Sequence, residues 1–457
     1  DKRYDDGVDF LAEKMARAIV WGDSFTVGAM GSSVTAGHDN CNYDSYERQM
    51  ERFLQPLFLK ANIKFQVRNA GEGGSCGDSF ENQVWCVRHM LGDDIDVAHY
   101  SWTYFEHGRE VQKFHEMWIR WVLMMDNAPV PQFFNTGGSG GDRDCGNKLG
   151  DGSLFDAYGK YGVNILCLEN GLKKIGYPGK KWGAIGDGIH NTTRDGDIEG
   201  ISEARKKSLG VTFRNWHPGP LGFQAVADGF SYHYLHALLI ACDKIIQFQT
   251  QNANDATKLQ QRWKKSGSAL SIDDLPPPKY CDSDICNLQE PPGCTNWEIP
   301  TYGRGQIKVM DPDDDFNPYK AQYKPSDKGW KKYTAPKRNL IPKNERNMEG
   351  CEHLDVCAGL IGNKESGLLT LRLPRMEIGR IILCSPDGKQ AADSLVSDLE
   401  ISLEETPLTN FQKIYGKCIM AQKEWTGTVS DSKGHIHIGV RVKNHGKEVR
   451  LSHVIAV

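Results

Sequence analysis

A turn rich in glycine and serine, directly after an apolar run, constrains the fold of this chain more than any other feature. The run 25–30 has the composition of a buried strand, and Gly31-Ser32-Ser33-Val34-Thr35-Ala36-Gly37 follows it. A strand that breaks at once into such a turn places a serine hydroxyl at the carboxyl edge of a sheet, where open α/β sheets carry their chemistry. The pattern therefore predicts an α/β fold with Ser33 at a candidate site.

The length and charge of the chain narrow the class of protein. With 457 residues the chain exceeds one ordinary hydrophobic core, which predicts two domains or one large domain with an appendage. A net charge of −4 gives no support for a nucleic acid partner. No apolar run is long enough to span a bilayer, so we expect no membrane span.

The cysteine pattern indicates an oxidising compartment. The chain has 13 cysteines but none of the C-x2-C pairs typical of zinc sites. The close spacing of Cys281, Cys286 and Cys294 in polar surroundings favours disulfide bonds, and the odd total leaves one thiol free or paired with another chain. Asn191-Thr192-Thr193 is a glycosylation sequon. Together these features predict a secreted glycoprotein, extracellular or lumenal.

The order of apolar patterns predicts three segments. Residues 1–246 alternate strand-like and helix-like runs, which is typical of an α/β domain, and the segment ends in a long helix over 221–246 with Leu235, Leu238 and Leu239 facing inward. Residues 247–350 are rich in Pro, Asp and Cys and are interpreted as a connector. Residues 351–457 contain period-two runs and predict an antiparallel β-sandwich.

Three stretches resemble the sequence blocks of the SGNH (GDSL-type) hydrolase superfamily, in a divergent, secreted, eukaryotic-type form. Ser33 stands at the nucleophile position, and Gly74 in Asn69-Ala70-Gly71-Glu72-Gly73-Gly74 matches a glycine whose amide faces the oxyanion. His217, in Asn215-Trp216-His217-Pro218, matches the catalytic base. The resemblance implies a three-layer α/β/α sandwich with a parallel sheet, an esterase-like Ser-His dyad, and no metal or organic cofactor.

Two alternative assignments use the same family pattern. Gly22-Asp23-Ser24-Phe25-Thr26-Val27-Gly28 is letter for letter closer to the GDSxTxG block, but the apolar run before Ser24 is very short and strand-like residues follow it. Asp187-Gly188-Ile189-His190 keeps the D-x-x-H spacing, and Asp187 is also a candidate acidic partner for another histidine. Ser33 and His217 are preferred because a nucleophile turn follows a strand and the histidine block precedes the last helix.

The chain also departs from the family pattern at two positions. Arg214 stands three residues before His217, where the family has an aspartate, and Phe105 replaces an asparagine that donates to the oxyanion. Loss of one oxyanion donor costs about 10²–10³ in rate. Two functions therefore remain. One is an ester hydrolase on acylated glycans, lipids or small molecules, with the Ser33 and Gly74 amides as oxyanion donors. The other is a catalytically inactive, glycan-binding or structural component of an extracellular assembly, with itself or extracellular matrix as partner.

Overall fold

The structure is a computed structural model, and it describes residues 2–38, 40–41, 44–72, 80–103, 111–135, 158–167, 213–214, 217–253, 255–264, 269–281, 283–297, 307–309, 329–336, 356–373, 378–387, 391–414, 417–425 and 436–457. The described helices are α1 (Lys2–Trp21), α2 (Tyr46–Lys60), α3 (Phe80–Trp85), α4 (Val87–Leu91), α5 (Val111–Leu123), α6 (Pro220–Gln251), α7 (Ala256–Arg262), α8 (Ser283–Cys286) and α9 (Ala391–Asp398). None of them is long and apolar enough to cross a membrane.

The described strands fall into five sheets. Their bounds are β1 (Ser24–Gly31), β2 (Lys64–Gly71), β3 (Val97–Ser101), β4 (Val130–Asn135), β5 (Asn164–Cys167), β6 (Phe213–Arg214), β7 (His217–Pro218), β8 (Gly293–Asn296), β9 (Lys308–Val309), β10 (Lys331–Pro336), β11 (Val356–Asn363), β12 (Leu369–Leu373), β13 (Ile378–Cys384), β14 (Leu399–Leu403), β15 (Thr406–Pro407), β16 (Phe411–Ile414), β17 (Cys418–Trp425), β18 (Ile436–Val442), β19 (Glu448–Leu451) and β20 (His453–Ala456).

The chain divides into two compact units, each discontinuous in sequence. The first unit contains residues 1–73, 91–291 and 339–354, and the second contains 74–90, 292–338 and 355–457. A mixed α/β class with a parallel sheet and antiparallel sheets is confirmed. The three predicted sequence segments stay a prediction.

A parallel sheet with strand order β2-β1-β3-β4-β5 is the centre of the first unit. Its order reverses at β1, because the chain passes from β1 to β2 on one side and then returns to β3 on the other. Ligand sites in open parallel sheets lie at such a switch point, outside the carboxyl ends of the strands. β1 is almost entirely buried, which explains why its sequence is apolar without alternation.

Helices cover both faces of this sheet. On one face, side chains from α1, α2 and α6 share a core with alternate residues of the strands, among them Phe25, Val27, Phe65 and Val67. On the other face Trp118 of α5 packs against Tyr100 and Phe133. The long helix predicted over 221–246 is confirmed as α6, but the inward orientation of Leu239 is wrong: this side chain is 64% exposed.

Antiparallel sheets build the second unit. The two larger ones have the strand orders β15-β14-β18-β12-β9 and β16-β17-β13-β20-β8. Both contribute side chains to one hydrophobic core, for example Leu371 and Ile438 from the first and Leu383 and Val454 from the second. The strands predicted from the period-two runs of residues 351–457 are confirmed, for example as β12, β14 and β18.

Disulfide bonds lie within each unit. Cys281–Cys286 is in the first unit, whereas Cys86–Cys294 and Cys384–Cys418 are in the second. The disulfide character predicted for the cluster 281–294 is therefore confirmed. Among the described cysteines outside disulfides, Cys242 on α6 is a free thiol.

Candidate active site

Ser33 and His217 lie within hydrogen-bonding distance of each other. The Oγ of Ser33 is 3.0 Å from the Nε2 of His217, although 184 residues separate the two positions in sequence. Both residues are buried, with 5% and 6% of their surface exposed. Ser33 follows the end of β1 at the switch point of the sheet, and His217 opens β7 just before α6.

A short helical turn carries Ser33. The amide of Ala36 donates to the carbonyl of Ser32 at 2.9 Å, and the amide of His38 donates to the carbonyl of Ser33 at 2.9 Å. Gly37 leaves the turn with φ of 70°, a left-handed conformation that glycine adopts without strain. The sequence after β1 therefore forms a tight turn and does not extend the strand.

Two glycines allow this turn to lie directly on the ends of β1 and β2. Gly31 and Gly71 are paired across these strands. A Cβ atom on Gly31 would lie 2.1 Å from the Oγ1 of Thr35, and one on Gly71 would lie 2.3 Å from the backbone nitrogen of Ala36. Any side chain at either position would push the serine turn away from the sheet.

Asn69 fastens the same turn to β2. Its Nδ2 donates to the carbonyl of Thr35 at 2.6 Å, and its Oδ1 accepts from the amide of Gly71 at 2.8 Å. The sequence pattern singles out the stretch 69–74 because of Gly74, and it misses this contribution of Asn69. The one available signal is an asparagine two residues before a glycine at a strand end, which is typical of a local bond from side chain to backbone.

The histidine segment is a short antiparallel pair followed by a helix. Arg214 of β6 pairs with His217 of β7, and Pro220 begins α6, where the fixed φ of proline suits the first turn. The ring of His38 packs edge to face on the ring of His217, with 5.0 Å between the ring centroids. His217 therefore contacts the serine turn through both Ser33 and His38.

A chain of buried hydrogen bonds runs beneath the site across the sheet. Thr35 Oγ1 is 3.4 Å from the Tyr46 hydroxyl, which is 3.0 Å from His99 Nε2, and His99 Nδ1 is 3.1 Å from Gln132 Oε1. Burial lowers the pKa of His99 to about 4, so its ring is neutral at pH 7. Because Gln132 Oε1 only accepts, the His99 proton lies on Nδ1, and Nε2 accepts from the Tyr46 hydroxyl.

The remaining predicted residues lie elsewhere or outside the described residues. Ser24 is the first residue of β1, so it lies at the opposite edge of the parallel sheet from Ser33, and its amide donates to Asp23 Oδ1 at 2.8 Å. The structure does not bring Ser24 to His217. The residues that lie outside the described residues are Gly74, Phe105, Asp187, His190 and Asn191.

A cavity of about 800 Å³ in the first unit is separate from this site. It is lined by Val130 at the start of β4 and by residues of α1 and α6, among them Lys14 and Lys244. Its position at the amino ends of the strands places it at the opposite edge of the sheet from Ser33. Lys244 forms a 3.2 Å ion pair there with Glu13.

Comparisons with known proteins give no family assignment. No family model matches the chain, and no curated protein matches it in sequence. Among solved structures, the chain is similar to a two-domain esterase (CEX) active on acetylated mannans, with 14% identity and a TM-score of 0.44 over 98% of this chain and 94% of that one. The same esterase co-crystallised with mannopentaose matches with 13% identity and a TM-score of 0.41, over 96% and 91% of the two chains.

Proposed function

We propose that this protein is a serine ester hydrolase of the SGNH type, with Ser33 as nucleophile and His217 as general base. The observation that carries the proposal is the 3.0 Å distance between Ser33 Oγ and His217 Nε2. Proton transfer requires heavy atoms about 2.6–3.2 Å apart, and nucleophilic catalysis by serine requires an adjacent base. The position of the pair at the switch point of a parallel sheet supports the same function.

The chemistry follows from these two side chains. Ser33 Oγ gives its proton to His217 Nε2 as it attacks the ester carbonyl carbon, and a tetrahedral oxyanion forms. Collapse of that intermediate breaks the ester C–O bond, and His217 returns the proton to the departing alcohol. Water, activated by the same histidine, then hydrolyses the acyl-serine. The Ser33 and Gly74 amides are our candidate oxyanion donors.

Acylated glycans and lipids are the proposed substrate class, in an extracellular or lumenal compartment. The three described disulfides favour an oxidising compartment. Arg214, which occupies the place of the family's aspartate, and Phe105, which occupies that of its asparagine, predict slow turnover. The best first substrate is therefore an activated ester such as p-nitrophenyl acetate.

The test combines that ester with a fluorophosphonate probe, which labels activated serines. We expect wild type to be labelled and to hydrolyse the ester, and Ser33→Ala and His217→Gln to lose about 10³-fold or more in kcat/KM. Ser24→Ala is the matched control, and it should retain wild-type activity. Absence of labelling in wild type, or equal labelling of Ser33→Ala, would reject the hydrolase and leave the inactive, glycan-binding alternative.

A further inference from the structure

Two buried side-chain amides connect the segment that carries Ser33 with the segment that carries His217. We call the described residues between Ser32 and Ser45 the serine segment, and residues 217–220 the histidine segment. Asn40 Nδ2 donates to the carbonyl of His38 at 3.0 Å and to the carbonyl of Pro218 at 2.8 Å. A single amide nitrogen thus bonds to both segments, and Pro218 is the residue directly after His217.

Gln49 makes the same arrangement of hydrogen bonds, with carbonyl groups that lie further along the chain from Ser33 and His217 than those bound by Asn40. Its Nε2 donates to the carbonyl of Asp44 at 2.8 Å and to the carbonyl of Pro220 at 2.9 Å. Gln49 lies on α2, so it also ties both segments to a helix that packs in the core of the first unit. Each of the two amides therefore donates one hydrogen bond to the serine segment and one to the histidine segment.

We propose that Asn40 and Gln49 are positioning residues that hold Ser33 and His217 at reaction distance, an inference that rests on the proposed function. Both side chains are buried, with 4% and 2% of their surface exposed, so water does not readily replace a lost donor. The hydrogen bonds go to main-chain carbonyls, which fixes the backbone on both sides. A displacement of about 1 Å between reacting groups costs about 10²-fold in rate. The two amides thus act on catalysis through distance, without touching the substrate.

The test replaces each amide by an apolar side chain of similar size. In Asn40→Leu and Gln49→Met we expect kcat for p-nitrophenyl acetate and the rate of fluorophosphonate labelling to fall about 10- to 100-fold, with KM changed less than about threefold. Asn127→Leu is the matched control. Asn127 is also an asparagine with two acceptors, the carbonyl of Ile95 at 2.9 Å and Asp96 Oδ1 at 3.0 Å, but it lies at the amino edge of the sheet. It should lose stability without losing kcat.

The outcomes separate this inference from the proposed function. Wild type that is neither labelled nor active overturns both. Active wild type together with folded Asn40→Leu and Gln49→Met that keep wild-type kcat overturns the positioning role alone. If Asn40→Leu does not fold in urea titrations, Asn40→Ser, which keeps one donor, is expected to fold with about a tenfold lower kcat. An unchanged kcat in that variant would also overturn the positioning role.

Discussion

At the scale of single residues, the candidate site depends on small side chains as much as on reactive ones. Ser33 reaches His217 because Gly31 and Gly71 let the serine turn lie on the strand ends, and because Asn69 fastens Thr35 there. A sequence pattern finds the serine and the histidine, since their chemistry is recognisable. It does not find the role of Asn69, because the sequence does not show which backbone groups a buried asparagine side chain will contact.

Gly31→Ala should destabilise the protein and impair the site together. The new methyl group would lie 2.1 Å from Thr35 Oγ1 and 2.9 Å from Ser101 Cβ, which forces the serine turn to move. We expect a loss of about 1–3 kcal/mol in the free energy of unfolding and slower labelling of Ser33.

Gly229→Ala is the contrasting change, on the exposed face of α6. A methyl group at this position would meet no side chain and no neighbouring element within 4 Å. The free energy of unfolding of that variant should increase by up to about 1 kcal/mol, because alanine favours the helix more than glycine does. Unfolding in urea measures both variants, and equal effects would argue against the packing of the serine turn described above.

At the scale of elements, the sequence predicts strand β1 and helix α6. Strand β1 is a continuous apolar run and α6 is a long helix with a buried apolar face, and these are the signals that pattern analysis detects best. Helix α1 is not among the predicted elements, although its buried residues have helical spacing. Residues 80–90, which form α3 and most of α4, belong to the second unit because of contacts with residues that are distant in sequence. No local sequence pattern predicts this assignment.

The burial of His99 beneath the site makes the stability of the protein depend on pH. The pKa of His99 is lowered by burial to about 4, below the ordinary value of 6.5. Between those values the unfolded chain binds the proton more readily, so the contribution of neutral His99 is complete above pH 6.5 and is lost as the pH falls towards 4. This shift in the pKa of His99 corresponds to about 3 kcal/mol in the free energy of unfolding.

Unfolding in urea between about pH 7.5 and pH 4.5 tests whether neutral His99 makes the free energy of unfolding depend on pH. Replacement of His99 by Gln should lower stability at the upper end and make the decline below about pH 6.5 shallower than in wild type. His236→Gln, on the exposed face of α6, is the control; because His236 only adds to the effect of burial on the pKa of His233, this variant should change the curve much less than His99→Gln does. A decline of unchanged steepness in His99→Gln would show that the ring is not held neutral by the fold.

At the scale of the whole molecule, the described disulfides contribute to stability by closing loops of very different lengths. The bond Cys86–Cys294 has a sequence separation of 208, against 34 for Cys384–Cys418 and 5 for Cys281–Cys286. The first of these joins the junction of α3 and α4 to β8 within the second unit, and so fixes the described residues 80–90 among strands that occur much later in the chain. The count of cysteines predicts disulfide bonds, but it leaves the pairing open because pairing depends on the fold.

The three bonds should therefore rank by loop length when each cysteine pair is replaced by serine. Loop closure predicts losses of about 5, 4 and 2 kcal/mol for the separations of 208, 34 and 5 residues. The first two losses should appear in the unfolding of the second unit and the last in that of the first, as measured by urea titration followed by separate tryptophan and circular-dichroism signals. Cys242→Ser, at the free thiol, is the control for the Cys-to-Ser change itself. If removal of Cys281–Cys286 cost as much as removal of Cys86–Cys294, packing around the bonds, and not chain entropy, would dominate their contribution.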